Sequence, residues 1–123
     1  MASRKPPSIE DTTQVVQLTP EQRQALREPH LLRQVSGPGA PRTFPLTGDR
    51  VTIGRSESAD ITVTSQQLSR THAVLEKTPE GYTCRDLSSA NGTWVQGVKV
   101  ASAVLRDDDT VQLGDVVFEY HET

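Results

Sequence analysis

The chain carries a single cysteine, Cys84, in 123 residues. One thiol excludes an internal disulfide framework and any multi-cysteine zinc site. No apolar h-region follows Met1, so no secretory signal is expected. No apolar run approaches the roughly 18 residues that a membrane-spanning helix needs. Positive charge is not in excess either: 13 Lys+Arg stand against 16 Asp+Glu, a formal charge of −3. Bulk attraction to nucleic acid or to an anionic membrane is therefore not expected. His30, His72 and His121 show no metal-ligand spacing, and Asp107-Asp108-Asp109 lacks the Gly and Glu spacing of a calcium loop. No metal or cofactor is expected. The hydrophobic share, 33%, is low for a compact chain, so the core is lean or part of the chain lies outside it. The expectation is one small domain with a tail, in a reducing compartment, the cytoplasm.

Composition changes near residue 30. The stretch MASRKPPSIEDTTQVVQ is polar and aperiodic and reads as a mobile tail. In LTPEQRQALREPH, Thr19 suits an N-cap, Pro20 the first helical position, and Gln22 the far side of a capping box. Pro29 disfavours the helical region at Glu28. A short helix over about 20–28 is expected, marginal without packing partners.

From Leu31 the apolar period is two. LLRQVS, TFPL, VTIG, ADITV, HAVLE, YTCRDL, GTWV, VKV and TVQLGDVVFEY read as short strands broken by Gly-, Pro- and Asp-bearing turns. Strand signals every ten residues or so, with almost no helix between, predict an all-β antiparallel β-sandwich over 31–121, behind a disordered or partly helical tail over 1–30. Alternation marks Phe44, Leu46, Val51, Ile53, Ile61, Val63, Val74, Tyr82, Cys84, Leu87, Val111, Leu113, Val116 and Phe118 as buried. Cys84 reads as a small core hydrophobe, and Trp94 as a packing residue.

Function is sought in the loops that a rigid sandwich displays. Three clusters stand out: Gly54-Arg55-Ser56 after a strand, Ser69-Arg70-Thr71-His72 before one, and Ser88-Ser89-Ala90-Asn91-Gly92-Thr93 between two. Arginines, hydroxyls, an amide and permissive glycines suit a phosphate. A guanidinium donates two parallel bonds to phosphate oxygens, and hydroxyl or backbone donors complete the cage. A local field of this kind lets an acidic protein hold an anion.

Val51-Thr52-Ile53-Gly54-Arg55-Ser56, Asp60-Ile61, Leu68-Ser69-Arg70-Thr71-His72-Ala73 and Asp86-Leu87-Ser88-Ser89-Ala90-Asn91-Gly92-Thr93-Trp94-Val95, in this order, resemble the forkhead-associated (FHA) domain. The resemblance runs from about Leu31 to Tyr120. It implies an eleven-stranded β-sandwich that binds phosphothreonine peptides through loops at one end, without catalysis. By position it implies that Arg55 holds the phosphate, that Ser69 donates its hydroxyl to it, that Arg70 lies beside it, and that Asn91 bonds the peptide backbone. Gln67 falls in the loop with which the family reads the third residue after the phosphothreonine. His72 is implied as a structural brace, while Gly54 and Gly92 leave room for the backbone. Position 90 is Ala where relatives often have a hydroxyl residue, which removes one side-chain contact. Three or four charge-assisted bonds, less ordering costs, leave roughly −7 to −9 kcal/mol, around micromolar.

Glu10-Asp11-Thr12-Thr13-Gln14-Val15-Val16 resembles the phosphorylated tails of small bacterial FHA regulators. Thr12 and Thr13 are therefore candidate phosphorylation sites, and the domain's own tail a candidate ligand. Other partners implied are a phosphothreonine-bearing protein and a serine/threonine kinase. Three competing readings are an FHA fold that binds through a phospho-independent surface, the N-terminal module of a larger protein, and an enzyme built on Ser69 and His72. The last lacks a third catalytic group or an oxyanion motif.

Overall fold

The computed structural model describes residues 17–20 and 29–122. The helix expected over 20–28 and the tail threonines Thr12 and Thr13 lie outside them, Pro20 excepted. Eleven strands follow one another: β1 (His30–Ser36), β2 (Arg42–Leu46), β3 (Arg50–Gly54), β4 (Ile61–Thr62), β5 (Ala73–Thr78), β6 (Gly81–Asp86), β7 (Thr93–Val95), β8 (Val98–Lys99), β9 (Ser102–Val104), β10 (Thr110–Leu113) and β11 (Val116–His121). They form a six-stranded sheet, β2-β1-β11-β10-β7-β8, and a five-stranded sheet, β4-β3-β5-β6-β9.

The turns follow from local chemistry. Gln96 and Gly97 both have positive φ, 51° and 79°, which gives the primed turn whose twist matches the β7–β8 hairpin. Gly114, with φ 57°, turns β10 into β11 so that Leu113 pairs with Val116. One pairing departs from the antiparallel expectation. The loop after β3 turns fully back, so the two-residue β4 lies parallel to it, with Ile53 opposite Ile61. Its return is pinned by Asp60, whose carboxylate accepts the Thr52 N–H at 2.9 Å and the Thr52 hydroxyl at 3.1 Å.

The buried set is close to the alternation. Leu46, Val51, Ile53, Ile61, Val63, Tyr82, Cys84, Val111, Leu113, Val116 and Phe118 share one core between the sheets. Burial pushes the Cys84 thiol up to about 12, so it stays protonated and behaves as an apolar group. Phe44 is only partly buried and packs against this core, with the Arg42 guanidinium 5.1 Å from its ring centroid. Leu87 is also partly exposed, because it lies one residue beyond β6. Val74 is fully buried but outside the shared cluster, because Ala73 and Leu75 on either side of it take the core face. Strand β9 shows no apolar alternation in sequence. It forms because β6 offers a free edge, with Cys84 opposite Ala103. Leu68 and Leu105, both buried, come from loops and anchor them to the core.

Register fixes the two ends of the sandwich. Strand β1 begins beside Leu46 and His121 and ends beside Val117, at the end where β3, β6 and β10 also finish. The chain therefore enters at one end, and the three polar loop clusters gather at the other.

Leu75 is fully buried opposite Cys84 and Val51. Leu75→Ala should lower unfolding stability by about 2–5 kcal/mol through lost burial and a residual cavity. Urea denaturation followed by tryptophan fluorescence checks this.

Candidate functional site

The site grows out of the β3–β5 ladder. Beyond the last strand pair, Ile53 with Ala73, the two chains stay bonded. The His72 N–H donates to the Ile53 carbonyl at 2.8 Å, the Arg55 N–H to Ser69 at 3.0 Å, and the Ser56 N–H to Arg70 at 3.1 Å. Gly54 sits where the two loops cross. A Cβ there would lie 2.7 Å from the Arg70 carbonyl carbon and 2.9 Å from the Thr71 Cα, and it would strike the Arg70 carbonyl oxygen. Only a residue without a side chain lets Arg55 and Ser69 come out of the sandwich side by side.

His72 joins the second loop to the third. It is fully buried. Its Nδ1 accepts the Ser69 N–H at 3.1 Å, and its Nε2 lies 2.8 Å from the Gly92 carbonyl. A carbonyl only accepts, so Nε2 carries the hydrogen and the ring is the neutral Nε2–H tautomer. Both nitrogens are committed, and the Ser69 atom in reach of the ring is its amide, not its hydroxyl. His72 is therefore not the base for a nucleophilic Ser69 hydroxyl, and this pair is not a nucleophile–base pair.

Asp86, at the end of β6, organises the third loop. Its carboxylate accepts the Ser89 hydroxyl at 2.5 Å, the Thr93 hydroxyl at 2.8 Å and the Ser89 N–H at 3.1 Å. The Ser89 Oγ in turn accepts the Gly92 N–H at 2.9 Å. Burial acts to raise the Asp86 pKa, but the Ser89 and Thr93 hydroxyls and the Ser89 N–H outweigh it and hold the carboxyl below its ordinary 3.8. Gly92 has φ 85°, a left-handed conformation that an L side chain rarely adopts.

The structure brings Arg55, Ser69, Arg70, Gln67 and Asn91 to this one end. Arg55 and Arg70 are exposed, and among the described residues neither guanidinium has a hydrogen-bond or ion-pair partner. The Ser69 Oγ accepts the Ala90 N–H at 3.1 Å, which leaves the hydroxyl hydrogen free to donate outward. That bond also engages the Ala90 N–H, so position 90 has neither a polar side chain nor an uncommitted N–H to offer a ligand. Asn91 is exposed, and its Nδ2 donates to the Gln67 carbonyl at 2.8 Å. The amide plane is thereby fixed, with its oxygen unengaged. The Gln67 N–H donates to Ser65 Oγ, itself bonded to Asp115 at 2.6 Å, so the β10–β11 turn braces this loop from beneath. Two guanidiniums without partners among the described residues, one free hydroxyl hydrogen and one fixed amide are donors of the kind an anion accepts.

Sequence reading missed Asp86 as the hub of the third loop; its spacing to Ser89 and Thr93 was the available signal. Ser65 and Asp115 carry no such signal, since fifty residues separate them. At the opposite end, Asp107, Asp108 and His121 come within 4.8 Å of one another. Both His121 nitrogens are already bonded, to Asp108 and Glu119, and the Asp109 carboxylate caps the Arg106 N–H at 2.8 Å. The acidic run is thus a hydrogen-bonded turn.

The FHA domain model matches residues 51–114, and the chain belongs to the FHA family, whose domains bind phosphothreonine peptides. Over 75 residues it is 43% identical to the ABC transporter ATP-binding/permease protein Rv1747 of Mycobacterium tuberculosis, a match covering 58% of this chain and 9% of that protein. The structure of M. tuberculosis EmbR in complex with a low-affinity phosphopeptide superposes with a TM-score of 0.69 at 31% identity, over 75% of this chain and 24% of EmbR. A structure from an analysis of phosphothreonine-dependent FHA domain interactions gives a TM-score of 0.71 at 26% identity, over 76% of this chain and 96% of that one. The chain thus spans about a tenth of the transporter and about a quarter of EmbR. Among the described residues no helix is long and apolar enough to cross a membrane.

Asp86 has a stability signature. A carboxyl held low in the folded chain contributes stability that is fully present above its ordinary pKa and lost as pH falls through the folded one. Asp86→Asn should cost about 1–2 kcal/mol at pH 7. That gap should narrow as the pH drops below 3.8, where the wild-type carboxyl itself protonates. Chemical denaturation of both proteins at neutral and acid pH measures it.

Proposed function

We propose that this chain is a phosphothreonine-peptide-binding module of serine/threonine kinase signalling. Its partners are phosphothreonine-bearing proteins, among them a kinase or its substrates. Arg55 and Ser69 hold the phosphate, Arg70 adds a second cation beside it, Asn91 bonds the peptide backbone, and Gln67 faces a following residue. Gly54, His72 and Gly92 support the site without touching ligand. The observation that carries this reading is the pair of unneutralised guanidiniums beside a hydroxyl whose hydrogen is free. In a chain of net charge −3, arginines left without carboxylates at one end suit a dianion supplied from outside.

Binding should depend on the phosphate and sit around micromolar. Arg55→Ala removes an exposed side chain, so the fold is kept while about 2–3 kcal/mol of binding is lost, roughly thirty- to 150-fold in affinity. Fluorescence anisotropy with a labelled phosphothreonine peptide and its unphosphorylated control reads this. Capture of a partner that survives Arg55→Ala unchanged would move recognition to the sandwich face.

A finer proposal concerns the domain's own tail. Thr13 lies seventeen residues before His30, and the chain enters the sandwich at the end opposite the site. A flexible chain of that length spans about 20–25 Å root mean square. The seven-residue β1 runs about 23 Å at roughly 3.3 Å per residue, so reach matches the distance to be crossed. Phosphorylation at Thr12 or Thr13 would then occupy the site in cis at an effective concentration of the order of millimolar. Tail-phosphorylated protein should bind free phosphopeptide about a thousandfold more weakly than unmodified protein. Equal affinities would remove the switch and leave the pocket intact.

A further inference from the structure

We propose that Lys99 is a further specificity-determining cation, which makes this domain favour phosphothreonine peptides carrying a carboxylate side chain close to the phosphothreonine. The proposal rests on the phosphopeptide reading above and deepens it.

The hairpin geometry puts Lys99 at the site. Strand β7 leaves the loop end, the Gln96–Gly97 turn reverses the chain, and β8 returns with Lys99 opposite Trp94. The next residue, Val100, closes the pair by donating its N–H to Thr93 at 2.9 Å. Gly92 has no side chain, and the Lys99 stem and Trp94 ring fill that space. A Cβ on Gly92 would lie 2.9 Å from the Lys99 Cε and 3.0 Å from the Trp94 Cη2. Lys99 therefore lies against the residue that follows Asn91.

Its ammonium is held but not neutralised. Nζ lies 5.8 Å from the centroid of the half-buried Trp94 ring, within cation–π range. The ring restrains the long side chain without supplying a negative charge. Among the described residues no carboxylate pairs with Lys99, whereas Arg33 pairs with Glu119 and Arg85 with Glu76. Arg55, Arg70 and Lys99 are thus three cations at the loop end without an ion-pair partner among the described residues. The phosphate engages the first two, and Lys99 is left for a second negative charge on the same ligand. Lys99 is exposed, so each contact it makes is that of a surface ion pair, a few-fold effect that salt screens.

The test uses the full chain and a phosphothreonine peptide with neutral flanks. It is joined by variants carrying one Glu, or one Lys, at each of the three positions on either side. In anisotropy titrations at low salt, at least one Glu peptide should bind the wild-type protein about threefold more tightly than the neutral parent. The ratio should fall toward one as salt is raised from about 50 mM to about 500 mM. Lys99→Gln keeps a stem over the Trp94 ring and should bring the ratio to one at low salt. Lys99→Glu should reverse it, so that the Lys peptide of the same position binds better. An unchanged ratio in both variants, or no Glu preference in the wild type, would overturn the inference while leaving phosphate-dependent binding standing. A phosphorylated parent that binds no better than its unphosphorylated control would overturn both readings together.

Discussion

The buried imidazole of His72 is the constraint on which the loop end depends. It accepts the Ser69 amide at one nitrogen and donates to the Gly92 carbonyl from the other. These loops come from distant parts of the chain, and without this bridge each would leave a backbone polar group buried and unsatisfied. Because the ring is neutral and in one tautomer, it fixes direction as well as distance. The Ser69 backbone is then placed so that its hydroxyl meets the Ala90 amide and still faces outward. The Gly54 crossing does the same for Arg55, since its missing Cβ is what lets the β3 and β4 loops run in contact.

Around that frame the charges are sorted. Arg33 and Arg85 are paired with carboxylates, and Arg42 is spent on the buried Gln34 and on the Thr62 carbonyl. Three acidic groups near the loop end are engaged in structure: Asp60 pins the return of β4, Asp86 organises the third loop, and Asp115 holds Ser65, while Glu57, beside Arg55 in the first loop, is exposed and has no hydrogen-bond or ion-pair partner among the described residues. Arg55, Arg70 and Lys99 are left unmatched at the rim. A net charge of −3 therefore coexists with three cations at this end that have no ion-pair partner among the described residues.

The topology separates entry from recognition. The chain joins the sandwich beside Leu46, where the Tyr82 hydroxyl bonds the Leu46 and Gly48 carbonyls and His30 packs edge-on against Tyr82 and Tyr120. The polar loops lie a full strand length away. A ligand at the loops is thus distant from the point where the chain joins β1.

Much of the fold was legible in sequence, because strand alternation and turn chemistry are local: Val51 with Ile53, Tyr82 with Cys84, Gln96-Gly97, and the turn at Gly114. Val74 is buried as alternation predicts, though outside the shared cluster. The reading failed where burial is not local: Ser102–Val104 is a strand only because β6 has a free edge, and Leu68 and Leu105 reach the core from loops. Arg55, Ser69, Arg70 and Asn91 were legible as an ordered motif, and the structure brings them to one end. Their partners were not, since hydrogen bonds such as Ser65 to Asp115 and Asn91 to the Gln67 carbonyl follow no sequence spacing. The sequence by itself determined the strand pattern, the turns and the chemical identity of the site. Only the tertiary structure decided which nitrogen of His72 carries the hydrogen, which arginines go unpaired, and that Lys99 comes back to the same rim. Those outcomes depend on packing between residues far apart in the chain, and local patterns do not encode it.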